Sequence, residues 1–466
     1  MRDEILSAVP AYDRFLTLTE LDESTRRLAG QYPDRIRVTA IGCSAEGRDL
    51  LCLTLGNGAK HALMFGCPHP NEPIGAMTIE FLSRFFCERP DILDATGYTW
   101  HMIKAVDPDG MKRNEGWFAG PYDLYTYARS YYRPAGRMQV EWTFPFAYKT
   151  LRWDTPLPET RALMKLIDDT KPALLYSLHN GCFGGAFWYI TGADASMARA
   201  LHDASARQGI PLSLGEPEMP CMTPIDRAVF SVPSVADMYE FYAAMLPGVD
   251  PATLMVQGDS SIGYANRDGQ SCFGLVAELP YYFHPDVADD RPANCSRRTS
   301  LNAQCDKLEL IYTFLQSQFG KVRPLLAETD AYTVALEERV GVGMTSIASM
   351  RAYAASDPAF SAPATRAQDF DNRYGIPAIH MMGVGLLLGA CEQRLKNASG
   401  ADAASLAAAV EEIDGFLREQ CAAIERQIEY TVIPVQKLVA MQTECGLAAA
   451  LYADGRLSQW SGEKPE

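Results

Sequence analysis

An α/β fold closed by an all-helical region is what this 466-residue sequence predicts. Three observations carry that reading. An apolar, strand-length run at 62–67 passes within a few residues into Ile74, Met77, Phe81 and Phe85, which recur at helical spacing. The same pairing returns in the opposite order, where a helical stretch over 159–168 gives way to an apolar strand at 173–178. After about residue 322, glycine-punctuated strand patterns stop and alanine-rich helical patterns take over. A chain of this length exceeds the usual single-domain range, so two units are expected: 1–322, carrying the sheet, and 323–466, helical, as a lid or an oligomerisation element.

The remaining elements follow the same logic. CFGLVAELPYY at 272–282 reads as a strand in which Glu278 is the lone carboxylate. A charge inside an apolar strand is costly unless it faces a polar site. Helices are predicted over 332–355 and 379–396, divided by the Pro- and Ala-containing stretch 357–366. A long helix carries the stripe Leu406, Val410, Ile413, Leu417, Cys421, Ile424 and Ile428. These helices are expected to pack as a small bundle whose core is that stripe. The apolar run around 379–391 is too short to span a bilayer and is interrupted by His380 and glycines, so it reads as a buried helix.

The chemistry gathers where strands meet turns. His69 and Glu72 fall in the turn between the first strand and its helix, and in open α/β sheets ligands bind beyond the carboxyl ends of the strands. His179 ends the second strand. An imidazole and a carboxylate three residues apart, joined by a second imidazole, suit Zn²⁺, and three protein ligands with an open fourth position mark a catalytic site rather than a closed structural one. The chain has 12 cysteines but no CxxC pair. Glu278 is then a candidate base for water at such an ion.

In that order and at those separations, His69-x-x-Glu72, His179 and Glu278 in its AELP context resemble the M14 zinc carboxypeptidases. The resemblance extends over about the first 320 residues. Residues 12–55 are similar to the family's opening helix and paired strands around a Glu46-Gly47-Arg48 turn. Asp107-Pro108-Asp109-Gly110 resembles the NPDG motif, and Pro158-Glu159-Thr160-Arg161 the run before the third ligand. The resemblance implies one Zn²⁺ held by His69, Glu72 and His179, with Glu278 as general base and acid on a zinc-activated water. It implies an arginine that stabilises the oxyanion, either Arg133 in YYRPAGR or Arg113 in DGMKRN, between which spacing does not choose. The fold expected is a three-layer α/β/α sandwich on a mixed, mostly parallel sheet.

Two departures bear on substrate. Where the family carries an Asn-Arg pair that clamps a free C-terminal carboxylate, this chain has Glu141 and Trp142, and a carboxylate is bound best by the guanidinium fork. Arg267, in Asn266-Arg267, is a candidate replacement, while Glu141 would read a cationic group and Trp142 would stack on it. The family's mobile tyrosine has no counterpart at 254–258, leaving Tyr264 as the nearby phenol.

A net charge of −16 argues against nucleic-acid and anionic-membrane partners. The first residues lack the pattern of a secretory signal, and the scattered cysteines suit a reducing, cytoplasmic setting. The partner expected is a peptide or small aminoacyl substrate, with homo-oligomerisation through the helical part. The function expected is zinc-dependent amide hydrolysis of metallocarboxypeptidase type. The alternatives are an N-acyl-amino-acid deacylase of desuccinylase or aspartoacylase type and, from a different class, a non-catalytic peptide-binding relative. His101 and His284 are candidates to orient ligands.

Overall fold

The computed structural model describes residues 1–192, 194–218, 221–246, 248–255 and 257–461. Its sheet is built from β1 (Ile36–Cys43), β2 (Asp49–Leu55), β3 (Lys60–Phe65), β4 (Tyr98–Ile103), β5 (Leu174–Phe183), β6 (Phe187–Ile190), β7 (Pro224–Asp226), β8 (Val229–Ser231), β9 (Phe273–Phe283) and β10 (Thr431–Val432). The strand order is β1-β2-β4-β3-β5-β9-β6-β8-β7, with β10 against β9. Strands β4, β3, β5 and β9 form a parallel heart, and the expected hairpin around Glu46-Gly47-Arg48 opens the sheet as the antiparallel pair β1–β2.

Period-two alternation sorts the heart of the sheet into two faces. Met64, Tyr176 and Leu178 join one apolar cluster, while Leu63, Phe65 and Leu175 join another. Of the main helices, α1 (Leu18–Gln31), α2 (Ile74–Glu88) and α4 (Ala195–Gln208) lie on the first face, and α3 (Pro158–Thr170) covers the second. This is the three-layer sandwich the sequence predicts. Ser177 and His179 stand on the face of Leu175, two and four residues along.

Residues 173–178 were expected to end as a strand at His179, but β5 continues to Phe183. The end that matters belongs to β3: its last paired residue, Phe65, lies opposite Ser177. His179 is therefore the first β5 residue on that face to clear its neighbour, while β9 continues to pair with it on the other side. Glu278, whose register partner is His179, sits in an interior strand.

Helices α5 (Arg297–Val322), α6 (Ala331–Ser356), α7 (Ile376–Leu395) and α8 (Gly400–Glu425) pack on one another. The α8 stripe is internal: Leu406, Ile413, Leu417, Cys421 and Ile424 are buried. The last long helix, α9 (Val435–Ala453), leaves this group and lies against α2, α4, β5 and β9. One length estimate is corrected: residues 366–395 form a continuous 30-residue helix, long and apolar enough by composition to cross a bilayer, yet 72% of its most apolar window is buried within the protein. A π turn at Asp371–Gly375 joins the two parts.

Candidate metal centre and its cavity

The turn carrying His69 and Glu72 is fixed by close backbone approach. A Cβ on Gly66 would lie 2.5 Å from the Ala76 nitrogen, and one on Gly75 would lie 2.7 Å from Leu178 Cβ, so both glycines let α2 begin directly against β3 and β5. Between them, Cys67 adopts a left-handed φ of 52°, a conformation that costs a non-glycine residue roughly 1–2 kcal/mol and that surrounding packing must hold.

The result is a tight donor set. His69 Nδ1 and His179 Nδ1 lie 3.2 Å apart. Glu72 Oε1 is 3.0 Å from His69 Nδ1, and its Oε2 is 3.1 Å from His179 Nδ1. All three side chains are buried. Tetrahedral ligands at about 2.0–2.1 Å from a zinc ion lie roughly 3.3 Å from each other, so these edges fit one shared ion. Without an ion, a proton on His179 Nδ1 is what lies between the two imidazoles and Glu72. Around them, Asn180 N donates to Glu72 Oε2 at 3.2 Å, Arg133 reaches Glu72 Oε1 at 3.4 Å, and Glu278 Oε1 lies 3.6 Å from His179 Nδ1. From α9, Gln442 donates to the His179 carbonyl at 3.0 Å and accepts from Thr78 at 2.9 Å, tying the ligand strand to the last helix.

The electrostatics express the crowding of carboxylates in a desolvated place. Without an ion, burial pulls His69 down to about 3, with the Arg133 charge adding to it. Burial opposes protonation of His179 too, but the Glu72 hydrogen bond and the charges of Glu278, Glu72 and Glu141 prevail and lift it to about 9. Burial, followed by repulsion from Glu72 and Glu218, pushes Glu278 well above the ordinary carboxylate range.

A cavity of about 230 Å³ opens over this cluster. Its wall includes Tyr131, Arg133, Glu141, Trp142, Tyr189, Glu218 and Glu278, with Ile379 and Met382 contributed by α7. The helical region therefore forms part of the cavity. Of the two arginines left open by spacing, Arg133 is at the cavity. Arg113 is not: its guanidinium lies over the Tyr132 ring, pairs with Glu46 and donates to the Asp109 carbonyl.

Arg267 and Tyr264 are also elsewhere. Arg267 stacks on Tyr264, and both bind Asp168. They precede β9 at the amino end of the parallel strands; the register from Phe273–Leu174 to Glu278–His179 separates the two ends by five residues, roughly 17 Å. Trp142 lines the cavity, but both oxygens of Glu141 are already occupied: Oε1 accepts from Ser261 N and Oγ, and Oε2 from Ser177 Oγ. His101 pairs with His61, and His284 stacks on Phe370, so neither touches the cluster. Of the segment 254–258, Val256 lies outside the described residues.

Ser177, Tyr131, Tyr189, Glu218, Asn71 and Asn180 were not singled out from sequence. Ser177 had a signal, since residues i and i+2 of a strand share a face. Asn71 sits inside the His69–Glu72 motif. Tyr189 donates to Glu218 at 2.7 Å across two separate segments, and nothing local announces that pair. The other motifs of the resemblance meet as a brace beside the site: Asp109 binds Ser44 and Arg48, and Glu159 accepts from Ala45 N at 2.7 Å.

Sequence comparison agrees with this geometry. Residues 21–135, which include His69, Glu72 and Arg133, match the sequence model of the Peptidase_M14 family, zinc carboxypeptidase. That match spans about a quarter of the chain, and over it the chain is similar to the zinc carboxypeptidases. It is 25% identical to carboxypeptidase D of Anas platyrhynchos over 175 residues, 35% of this chain and 12% of that protein. It is also 25% identical to carboxypeptidase Z of Mus musculus over 203 residues, 37% of this chain and 31% of that protein. The chain thus matches about an eighth and under a third of the lengths of these relatives. Among solved structures, it aligns with a carboxypeptidase A from Helicoverpa armigera at 16% identity and a TM-score of 0.36, covering 76% of this chain and 79% of that one.

Proposed function

We propose that this protein hydrolyses an amide bond in a peptide or aminoacyl conjugate by metallocarboxypeptidase-type chemistry, at one zinc ion held by His69, Glu72 and His179. The observation that carries the proposal is the convergence of three metal donors, a buried carboxylate and a guanidinium on the floor of one cavity. A zinc ion, when bound, supplies Lewis acidity to the scissile carbonyl and acidity to water. Glu278 takes the proton from the attacking water and delivers it to the leaving nitrogen; its place beside His179 and its raised affinity for protons suit both halves of that transfer. Arg133 donates to the carbonyl oxygen as negative charge develops there.

The cavity also bears on substrate class. Among the described residues lining it, Glu72, Glu141, Glu218 and Glu278 face a single guanidinium, Arg133. If Arg133 serves the oxyanion, no second arginine is present there to clamp a carboxylate. The group beyond the scissile bond is therefore read as neutral or cationic, such as an amidated or modified terminus. The test is hydrolysis by zinc-loaded protein of peptides with free and amidated C-termini alongside N-acyl amino acids, with Glu278→Gln as control. Cleavage of amidated peptides, lost in the variant, is expected; equal activity in the variant would contradict the role of Glu278, and a requirement for the free carboxylate would contradict the substrate reading.

A further inference from the structure

We propose that Glu141 is a positioning residue for the metal centre, acting through the Ser177 hydroxyl to fix the ring orientation and tautomer of His179. The inference rests on the reading of His69, Glu72 and His179 as ligands. Ser177 Oγ lies 2.9 Å from His179 Nε2 and 3.4 Å from Glu141 Oε2, and all three residues are buried.

A hydroxyl has one proton, so Ser177 can donate in one direction only. Burial raises the Glu141 carboxyl, while the His179 charge and the hydrogen bonds from Ser261 and Ser177 favour its ionised form, and an ionised carboxylate only accepts. With Glu141 on its far side, Ser177 donates to Glu141 and offers its lone pair to His179, which must then carry its proton on Nε2. That leaves the Nδ1 lone pair free, and Nδ1 is the atom 3.1 Å from Glu72 and 3.2 Å from His69 Nδ1. The reverse arrangement, with Ser177 donating to Nε2, would place a proton on Nδ1 and block coordination.

Glu141 is itself held rigidly. Ser261 N and Oγ bind its other oxygen at 3.1 and 2.8 Å, at the start of the short helix Ser261–Ala265. Strand geometry completes the device, because Ser177 is two residues before His179 on the same face of β5. Among the described residues, the second ligand has no such support: His69 Nε2 is buried without a hydrogen-bond partner. An acidic residue where the resemblance led one to expect a substrate clamp thus has a different task. It orients a ligand, and its oxygens are not free for substrate.

Groups that orient a metal-bound histidine typically contribute about 10- to 100-fold in metal affinity. The experiment is chelator competition for zinc by the full chain in wild type, Glu141→Gln, Ser177→Ala and the double variant, each checked for folding by circular dichroism without metal. Both single variants are expected to bind zinc about 10- to 100-fold more weakly, and the double variant no more weakly than the weaker single one. Ser177→Thr, which keeps the hydroxyl, is expected to recover most of the loss. Histidine ¹⁵N spectra of the zinc-loaded protein provide a readout that packing alone would not move: the His179 Nε2–H signal should shift in Glu141→Gln and in Ser177→Ala. Ser177→Ala removes only a hydroxyl, so it decides the matter even if Glu141→Gln fails to fold. Zinc affinity within about threefold of wild type in Ser177→Ala, or additive losses in the double variant, would overturn the relay. Wild type that takes up no zinc would overturn the ligand reading as well, and because no substrate is used, the result does not depend on which bond the enzyme cleaves.

Discussion

Two buried charged clusters lie on either side of the same sheet, and they differ in balance. In one, Lys104 pairs with Glu80 and donates to Thr25 at 2.7 Å and to the Leu21 carbonyl at 3.2 Å, while Glu80 also accepts from Ser24 and Arg84. Lys104 finds an acceptor for each of its donors, and the one carboxylate, Glu80, is met by two cations, Lys104 and Arg84. In the other, Glu72, Glu278 and Glu141 surround two histidines whose Nδ1 atoms face each other, with Arg133 as the nearby fixed cation. The first cluster is complete as folded. The second is short of fixed positive charge, so in the metal-free protein His179 and Glu278 hold protons more tightly than usual, and its donors have the spacing of ligands. Burial of charge alone does not mark a functional site; burial of charge that the chain leaves unbalanced does.

That contrast can be broken from either side. The largest effect is expected at Glu278: Glu278→Gln should lower kcat by about 10³–10⁴-fold with zinc still bound, because it removes the proton carrier for both steps. Stopped or steady-state assays on a cleaved substrate check it. Lys104→Met should instead lower stability by about 3 kcal/mol, the lower end of what an uncompensated buried charge costs, since Ser24 and Arg84 still hold Glu80. Denaturant unfolding measures that loss, and the catalytic rate of the folded fraction should not change.

Arg133→Met should reduce kcat by about 10²–10³-fold, as loss of an oxyanion donor does. Arg113→Met, which touches Glu46 and Tyr132 and not the cavity, should leave activity within about threefold. Zinc affinity should also depend on pH with a definite sign. His179 holds its proton up to about 9 in the metal-free protein, so a proton must leave when the ion binds. Affinity should then fall about tenfold for each pH unit below 9, down to neutrality, while His69, already proton-free there, adds nothing. Chelator competition between pH 7 and 9 reads the slope.

Much of the site could be read from the sequence because its elements are local. The His69–Glu72 turn is bracketed by a strand run and a helical run, and His179 and Glu278 each sit in an apolar strand where a polar side chain needs a reason. What pairs distant segments was not legible. The choice between Arg113 and Arg133 depends on which side of the Pro108–Asn114 helix faces the cavity, and the sequence does not state that. Arg267 looked close to the pocket along the chain, yet it lies at the opposite end of the strands. Gln442, from α9, reaches back over 263 positions to the His179 carbonyl, and the apolar helix that carries it gives no sign of its destination. The strand holding His179 was expected to stop there because apolar residues stop; β9 continues it by pairing as far as Tyr282 with Phe183.

The measurement that tests the central claim most directly is zinc content at equilibrium in the full chain, wild type beside Glu72→Ala and Lys104→Met. The account predicts one zinc per chain in wild type and in folded Lys104→Met, and none in Glu72→Ala. Zinc retained by Glu72→Ala, or absent from wild type supplied with the metal, would contradict it.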